Sequence, residues 1–164
     1  MFTVELKDEA VTAALMRAAA ALDNMLPLNQ DIGEILVAST KARFPLGTAP
    51  DGSKWAAKSQ TTLNRYGARK SNRVDVRPLF GPSGILSSQI FSEATSDQVE
   101  VGSNRIYAGT MQFGAAKGAF GTMANGSSIP WGNIPARPFL GISETDSANI
   151  VAQIADWLSG AIQP

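Results

Sequence analysis

The stretch Ile134-Pro135-Ala136-Arg137-Pro138-Phe139-Leu140-Gly141 restricts the fold more than any other part of the chain. Each of its prolines fixes a backbone φ angle and removes an amide donor, so the segment must be extended and cannot lie inside a helix or a central strand. Phe139 and Leu140 add apolar anchors near its end. Two interpretations stay open: an edge strand of a sheet, or a surface segment that inserts these two side chains into the core.

A helix is predicted directly after this segment. Ser143 and Asp146 have the spacing of a capping box, in which each side chain accepts a hydrogen bond from the other residue's amide. Apolar residues then recur at helical spacing, which indicates an amphipathic helix that closes the domain. They are Ile150, Val151, Ile154, Trp157 and Leu158.

The region before the segment predicts a loop and a β-hairpin. Residues 114–133 contain five glycines and no regular apolar period, so we expect an irregular loop there. Val99 and Val101 alternate with polar residues, as in a strand with one buried face. Ser96-Asp97 suits a tight turn that would join this strand to an earlier one within residues 85–94.

The N-terminal part predicts a strand and a first helix. Apolar and polar residues alternate over residues 2–7, which is the period of a strand. Asp8 can cap the helix that follows, and Pro27 is expected to end it. The apolar stripe of this helix consists of Val11, Leu15, Ala18, Leu22 and Met25.

A second helix is predicted over residues 28–44, where apolar positions again repeat at helical spacing until Pro45 stops it. Because the two helices follow each other closely, we expect them to pack as a helical hairpin. From residue 45 to residue 78 the pattern breaks into Gly, Pro, Ser, Asn and basic residues, with Trp55 and Tyr66 as isolated anchors. This segment predicts an extended arm, either a solvated loop or a contact segment.

These elements together predict an α+β fold, with a small, mainly antiparallel sheet packed against two or three helices and with long extended loops. The chain has 164 residues, 44% of them hydrophobic, which fits one domain with a modest core. We therefore expect a single domain over residues 1–164, from which the arm 45–78 and the loop 114–133 project.

Composition argues against most enzyme classes. Histidine and cysteine are absent, which excludes histidine-dependent triads, thiolate metal sites and disulfides. The acids near predicted helix starts, such as Asp8 and Asp146, are better explained as caps than as catalytic groups. Gly81-Pro82-Ser83-Gly84 lacks the lysine and the spacing of a phosphate-binding loop. We expect no catalytic, cofactor-binding or metal-binding residues.

Membrane insertion is not expected either. No apolar run approaches the roughly 20 residues that a helix needs to cross a bilayer. Residues 1–8 alternate apolar and polar side chains and do not show a charged segment followed by an apolar one, which is the pattern of a secretory leader. We expect an intracellular product.

Charge is distributed unevenly along the chain. Residues 41–77 hold nine of the fourteen basic residues and only two acids, so this region is +7 and the remainder −7. Such a cluster could contact DNA phosphates in a channel, contact an acidic neighbouring subunit, or simply be a solvated loop. The candidate contact residues are Arg65, Arg69, Lys70, Arg73 and Arg77.

Three blocks of the sequence follow one another in order. The first lies within residues 44–62 and contains Pro50-Asp51-Gly52 and Trp55; the second lies within 84–114 and ends in Gln112-Phe113-Gly114. The third is the proline-rich segment quoted first, with the helix after it. Together they resemble the virion morphogenesis, or tail completion, family of tailed phages, typified by Mu-like phages, and the third block is the most specific.

One position departs from the family pattern, and two stretches fall outside it. Met111 stands where the family often has histidine, which argues against a universal chemical role for that histidine. The stretch 65–77 and the loop 114–133 look like variable insertions, so the resemblance says little about them.

The resemblance implies a structural protein of the virion and no enzymatic activity. Proteins of this kind act late in assembly, at the end of the tail tube or in the neck, and commonly form closed rings. The implied location is the head-tail junction of a virion assembled in the host cytoplasm. The implied partners are further copies in a hexameric ring and neighbouring neck, connector or tail tube proteins, with DNA in the channel as an additional candidate.

Two segments are the predicted subunit or partner interface. Trp55 is expected to anchor the arm against its own domain or a neighbour. The proline-rich segment is expected at a subunit boundary, through Arg137, Pro138, Phe139 and Leu140. Arg137 has no charge partner nearby in the sequence, so we expect an acidic group on the same or the next subunit to pair with it, or else a solvated side chain.

Two other classes of function compete with this one. A small DNA-binding protein would use the basic stretch 65–77 and would bind DNA as a monomer in a salt-sensitive manner. A muralytic hydrolase would need a pair of carboxylates in one cleft, and the sequence offers no strong candidate for that pair.

Overall fold

A computed structural model describes residues 8–68, 74–81 and 83–163. The predicted strand over residues 2–7 therefore lies outside the described residues. Within them, four helices precede one β-hairpin and two follow it, which confirms the predicted α+β class. The elements in chain order are α1 (Glu9–Leu22), α2 (Leu26–Leu46), α3 (Gln60–Gly67), α4 (Ile85–Ser88), β1 (Phe91–Ala94), β2 (Val99–Gly102), α5 (Ala108–Phe113) and α6 (Glu144–Ile162).

The β-hairpin is antiparallel, and its register pairs Phe91 with Gly102 and Ala94 with Val99. The turn falls at Ser96-Asp97 as predicted, closed by a 2.8 Å hydrogen bond from the Thr95 amide to the Gln98 carbonyl. The first strand is shorter than expected, because residues 85–88 form α4. Ser87 and Ser88 donate their hydroxyls to carbonyls three residues back, and such local bonds compete with strand pairing.

Helix α2 is the central element, because it contacts the β-hairpin on one side and α6 on another. Gly33 allows the close approach to β1, since a methyl group there would lie 2.8 Å from the Ser92 hydroxyl oxygen. The prolines do not act where they were expected to. Pro27 lies in the first turn of α2, where its missing amide has no helical partner to lose, and Pro45 lies inside the last turn. Helix α1 already ends at Leu22.

The predicted hairpin of the first two helices is wrong, because α1 packs on α6 instead. Arg17 donates from Nη2 to the carbonyl of Ile162, at the C-terminal end of α6, over 2.7 Å. Gln153 of α6 donates to Asp31 of α2 over 2.9 Å. Helix α6 therefore lies between α1 and α2, and a local sequence pattern cannot show that an element so late in the chain inserts there.

Both predicted helix caps are confirmed. The Asp8 carboxylate accepts a hydrogen bond from the Val11 amide at 3.1 Å. Ser143 and Asp146 form the complete capping box: the Ser143 hydroxyl accepts from the Asp146 amide at 3.1 Å, and the Asp146 carboxylate accepts from the Ser143 amide at 2.8 Å. Capping of this kind satisfies amides that have no partner inside the helix.

The core centres on Phe44, near the end of α2. Its ring meets Trp55 at 5.6 Å and Phe139 at 5.5 Å between centroids, and both Phe44 and Phe139 are fully buried. The Phe80 ring packs edge-on against Phe44 at 6.2 Å. Residues from α4, α5 and the loops complete this cluster: Ala49, Leu79, Leu86, Ile90 and Ala108.

The arm over residues 45–78 is folded rather than extended. An antiparallel bridge joins Thr48 to Lys54, Trp55 enters the core, and α3 follows with Ser59 as its cap. The part of the arm over residues 69–73 lies outside the described residues. No helix in the described ranges is both long and apolar enough to span a bilayer.

Candidate assembly site

The proline-rich segment 134–141 is not an edge strand: as the second interpretation expected, Phe139 lies in the core and Leu140 packs against it. Side chains from elsewhere in the chain clamp its backbone. Ile134 exchanges two amide-carbonyl hydrogen bonds with Ala115, at 2.8 and 2.9 Å, and the Arg137 amide donates to the Met111 carbonyl at 2.8 Å. The amides of Phe139 and Leu140 both donate to the side-chain oxygen of Gln112, at 2.9 and 3.0 Å. Since proline has no amide, these contacts account for most donors of the segment.

The carbonyls of the segment are bound in the same way. Trp55 donates from its indole Nε1 to Pro138 at 2.7 Å, and Gln112 donates from Nε2 to Leu140 at 3.0 Å. Arg43 donates from Nη1 to the carbonyls of Phe139 and Gly141, at 2.9 and 2.8 Å. Buried backbone groups need partners, and here side chains supply what a sheet would normally provide. We call Arg43, Trp55 and Gln112 the clamp residues.

Arg43 also links the segment to the start of α6. Its Nη2 forms a salt bridge with Asp146, and the two side chains are only 7% and 3% exposed. Burial by itself raises the pKa of Asp146, but hydrogen bonds from Ser39 and Ser143, together with the charge of Arg43, outweigh it and leave the pKa below its usual value of 3.8. Asp146 therefore caps α6 and also holds the clamp residue Arg43 in place.

Arg137 lies inside the fold, although it was predicted to pair with an acidic group or to be solvated. It donates from Nε to the carbonyl of Ala56 at 2.7 Å and from Nη2 to the carbonyl of Ala57 at 2.9 Å. Only 7% of the residue is exposed, so the solvated alternative is wrong. Within the described part of the chain its partners are carbonyls, not an acid. Ala56 and Ala57 lie in no strand, so their carbonyls are available to accept from Arg137. Burial lowers the pKa of Arg137 from its ordinary value.

The predicted interface residues divide into two groups by burial. Trp55, Arg137 and Phe139 are buried in the chain's own fold, whereas Pro138 and Leu140 are half-buried. A direct contact with a neighbour remains a prediction, and the geometry favours it only for the second group. The buried residues would affect an interface by positioning the segment.

The loop over residues 114–133 projects from the proline-rich segment as a hairpin held by isolated antiparallel bridges and turns. Its base is the pairing of Ala115 with Ile134. Further along, Phe120 donates to the Ile129 carbonyl and the Ile129 amide donates to Gly121, both at 2.7 Å. A second bridge, Thr122 with Ser128, precedes the tip. We call residues 115–134 the projecting hairpin.

Gly114 is required where the hairpin begins. Its φ angle is +75°, a conformation that side chains disfavour. A methyl group at this position would also lie 2.7 Å from the carbonyl oxygen of Ile134 and 2.8 Å from the amide nitrogen of Ala136. This explains the glycine of the Gln112-Phe113-Gly114 block: the glutamine binds the segment and the glycine lets the segment's backbone come close.

The two basic candidates that fall on described residues are engaged within the chain. The Arg65 guanidinium lies over the Trp131 ring at 4.8 Å from its centroid, and Arg77 lies over Phe80 at 3.7 Å. Arg77 also pairs with Asp75 at 2.5 Å, and this hydrogen bond lowers the pKa of Asp75 to about 2. The other three candidates, Arg69, Lys70 and Arg73, lie outside the described residues, and their role stays a prediction.

Sequence reasoning missed two of the clamp residues. Gln112 could have been found, because it stands in one of the blocks that carry the resemblance. Arg43 gave no local signal except that a cation stands beside Phe44 at the end of an apolar helix stripe. In the described ranges, no group of three or more acidic residues is placed to hold a metal ion.

Comparison with known proteins agrees with the resemblance. Over 158 residues the chain is 28% identical to the Mu-like prophage FluMu G protein 2 of Haemophilus influenzae, and the match covers 96% of each chain. No solved structure shows a significant similarity. Residues 6–159, which include all the clamp residues and the projecting hairpin, match the phage virion morphogenesis family as a whole, and the chain therefore belongs to that family.

Proposed function

We propose that this chain is a structural protein of the phage virion that forms a ring at the junction of head and tail. It would act there as a tail completion, neck or tail terminator protein, with six copies in the ring. Its neighbours would be connector, neck or tail tube proteins. Family membership over residues 6–159 carries the proposal, because it assigns the chain to virion morphogenesis.

The surface of the subunit supports a role that depends on protein partners. Large apolar side chains stand exposed on several elements, among them Ile106, which is fully exposed, and Phe113 of α5. Soluble monomers rarely expose contiguous apolar patches larger than a few hundred Å², and larger ones usually mark interaction sites. A subunit of a closed assembly can cover such side chains with its neighbours.

Catalysis forms no part of the proposal. The acids Asp8 and Asp146 are engaged as helix caps, and the buried polar groups Arg43 and Arg137 are occupied by the segment and the arm. Each of these groups has a structural partner that accounts for its position. The chain's polar interior is organised to hold the proline-rich segment in place.

A phage carrying a stop codon in this gene provides the direct test. We expect its lysate to contain filled heads and full-length tails that are not joined, and purified protein added to that lysate should restore joined, infectious particles. Tagged protein should be found at the junction in electron micrographs. Normal particles without the protein, or a tag on the head shell or the distal tail tip, would refute the proposed location.

A DNA-binding assay on the purified protein distinguishes the proposed function from the DNA-binding alternative. A monomer that binds DNA in a strongly salt-dependent manner, and is missing from purified particles, would support the DNA-binding alternative instead. A ring subunit should be found in particles in a fixed number per junction.

A further inference from the structure

Helices α1 and α6 form a layer whose outer side is left uncovered by residues 8–68, 74–81 and 83–163. The apolar stripe of α1 faces outward: Val11, Leu15 and Leu22 are 52%, 65% and 54% exposed, and no residue of α1 is buried. On α6, Val151 is also exposed and only Asp146 is buried. The apolar stripe of α1 is therefore not the side that packs against the rest of this chain. In a monomeric protein the apolar stripe of a surface helix normally faces the core.

The projecting hairpin presents the second uncovered apolar surface. Phe120 and Met123 lie near its tip, and Ile129 and Trp131 lie on its returning side, all of them exposed. The hairpin backbone is internally hydrogen-bonded and its base is tied to the clamped segment through Ala115, so these side chains are held out on a supported element.

The two surfaces carry opposite charge. Between residues 101 and 143 the sequence has no acidic residue, and the exposed cations Lys117 and Arg65 lie on the projecting hairpin and beside its Trp131. The exposed acids of α6 are Glu144 and Asp156, and the helix has no basic residue; α1 carries Glu9 and one cation, Arg17, and is flanked by Asp8 and Asp23, so the layer is net acidic. An apolar basic surface and an apolar acidic surface on one chain are complementary to each other rather than to themselves.

From this complementarity we propose that the projecting hairpin of one copy docks on the α1-α6 layer of the next copy. Phe120 and Met123 would pack against the stripe of Leu15, and Lys117 would face the acids of the layer. A contact between two different surfaces of the same chain is head-to-tail, and it closes into a ring when the rotation between copies allows it. The inference rests on the proposed ring and names the two surfaces that build it.

The chain contains no cysteine, so single cysteines can report this contact without background. The variants are Phe120→Cys on the hairpin and Leu15→Cys on α1, with Leu46→Cys as the matched control, since Leu46 is equally exposed but belongs to neither surface. Each variant is incorporated into phage particles, alone and in an equal mixture, and treated with a short bifunctional maleimide. Products are separated by size under denaturing conditions.

We expect covalent dimers in the mixture of Phe120→Cys and Leu15→Cys copies, and none with either variant alone or with any mixture containing Leu46→Cys. A chain with both substitutions should give a ladder that ends at the number of copies in the ring. Dimers from Phe120→Cys alone would show a symmetric hairpin contact and overturn the inference.

The inference and the proposed function can fail separately. Joined particles that contain the protein at the junction, but give no crosslink in the mixture, would overturn the docking mode and leave the proposed location intact. Particles that join without the protein would refute the proposed function, and the docking mode with it.

Discussion

The indole Nε1 of Trp55 lies 2.7 Å from the carbonyl oxygen of Pro138 and donates a hydrogen bond to it. This bond joins the beginning of the arm to the proline-rich segment across the core, next to the edge-on contact between Trp55 and Phe44. It makes one aromatic residue both a core side chain and a partner for the backbone of a segment that lies outside any sheet.

Trp55 should therefore show two separable contributions to stability. Trp55→Phe keeps an aromatic ring but removes the donor, and should lower the free energy of unfolding by about 1 kcal/mol or somewhat more. Trp55→Ala should lower it by about 3–5 kcal/mol, because it also removes a large buried ring. Urea denaturation of both variants measures the difference, and equal losses for the two would show that the hydrogen bond, not the ring, dominates.

Gln112 offers a test of the clamp. Gln112→Leu leaves two amides and one carbonyl of the segment without their partner, and each unsatisfied buried group costs about 1–3 kcal/mol, so a loss of at least 2 kcal/mol is expected. The matched control is Gln98→Leu. Gln98 is an exposed glutamine whose side chain donates to Glu100, and its replacement should lower the free energy of unfolding by no more than about 0.5 kcal/mol. Similar stability of the two variants would contradict the clamp.

The surroundings of Asp146 predict how stability depends on pH, because hydrogen bonds from Ser39 and Ser143, and then the charge of Arg43, favour its ionised carboxylate. The folded state holds the pKa of Asp146 below its ordinary value of 3.8, so its contribution is fully present above that value and is lost as pH falls through the lower, folded pKa. Unfolding by urea should become easier below that pH. In Asp146→Asn this part of the pH dependence should be missing.

At neutral pH, Asp146→Asn leaves the buried Arg43 without its charge partner, and the loss of stability should be about 3–5 kcal/mol. The control is Glu34→Gln, which changes an exposed acid of α2. If Glu34→Gln removed the acid sensitivity and Asp146→Asn did not, the assignment to Asp146 would be wrong.

Arg137 should be needed for folding as well as for assembly. Sequence alone suggests that Arg137→Ala leaves the monomer folded, but the two hydrogen bonds to Ala56 and Ala57 change that expectation. Arg137→Ala should lower the free energy of unfolding by about 2 kcal/mol, since two buried carbonyls lose their donor. Unchanged stability together with impaired joining of heads and tails would instead indicate direct contact with a neighbour.

Local sequence patterns predicted the elements that depend on residues close together in the chain. The capping box of Ser143 and Asp146 and the turn at Ser96-Asp97 depend on residues a few positions apart, and both formed as predicted. The stripe of Leu15 correctly indicated a helix but not its packing. Periodicity shows which side of a helix is apolar, and it does not show whether the chain itself or another molecule covers that side.

The candidate site was harder to predict, because its contacts join distant parts of the chain. Arg137 and Phe139 were recognised as important from the proline-rich segment alone. The clamp residues Arg43 and Trp55, which bind the carbonyls of Phe139 and Pro138, gave no pattern that linked them to the segment. A hydrogen bond from a side chain to a remote carbonyl leaves no period in the sequence, so only the three-dimensional structure could place the clamp.

The clamp also has a consequence for the time course of folding. Its hydrogen bonds join residues 43 and 139 and residues 55 and 138, which are separated by 96 and 83 positions, and Arg137 adds a bond to residue 56 across 81 positions. Contacts of such long sequence separation slow folding, because large loops must close before any bond compensates the entropy lost. A nascent chain thus cannot complete its core until residue 141 has left the ribosome, and the hairpin, whose base rests on the same segment, gains firm support only then. Newly made subunits would become competent for assembly all at once, after synthesis, rather than in stages during it.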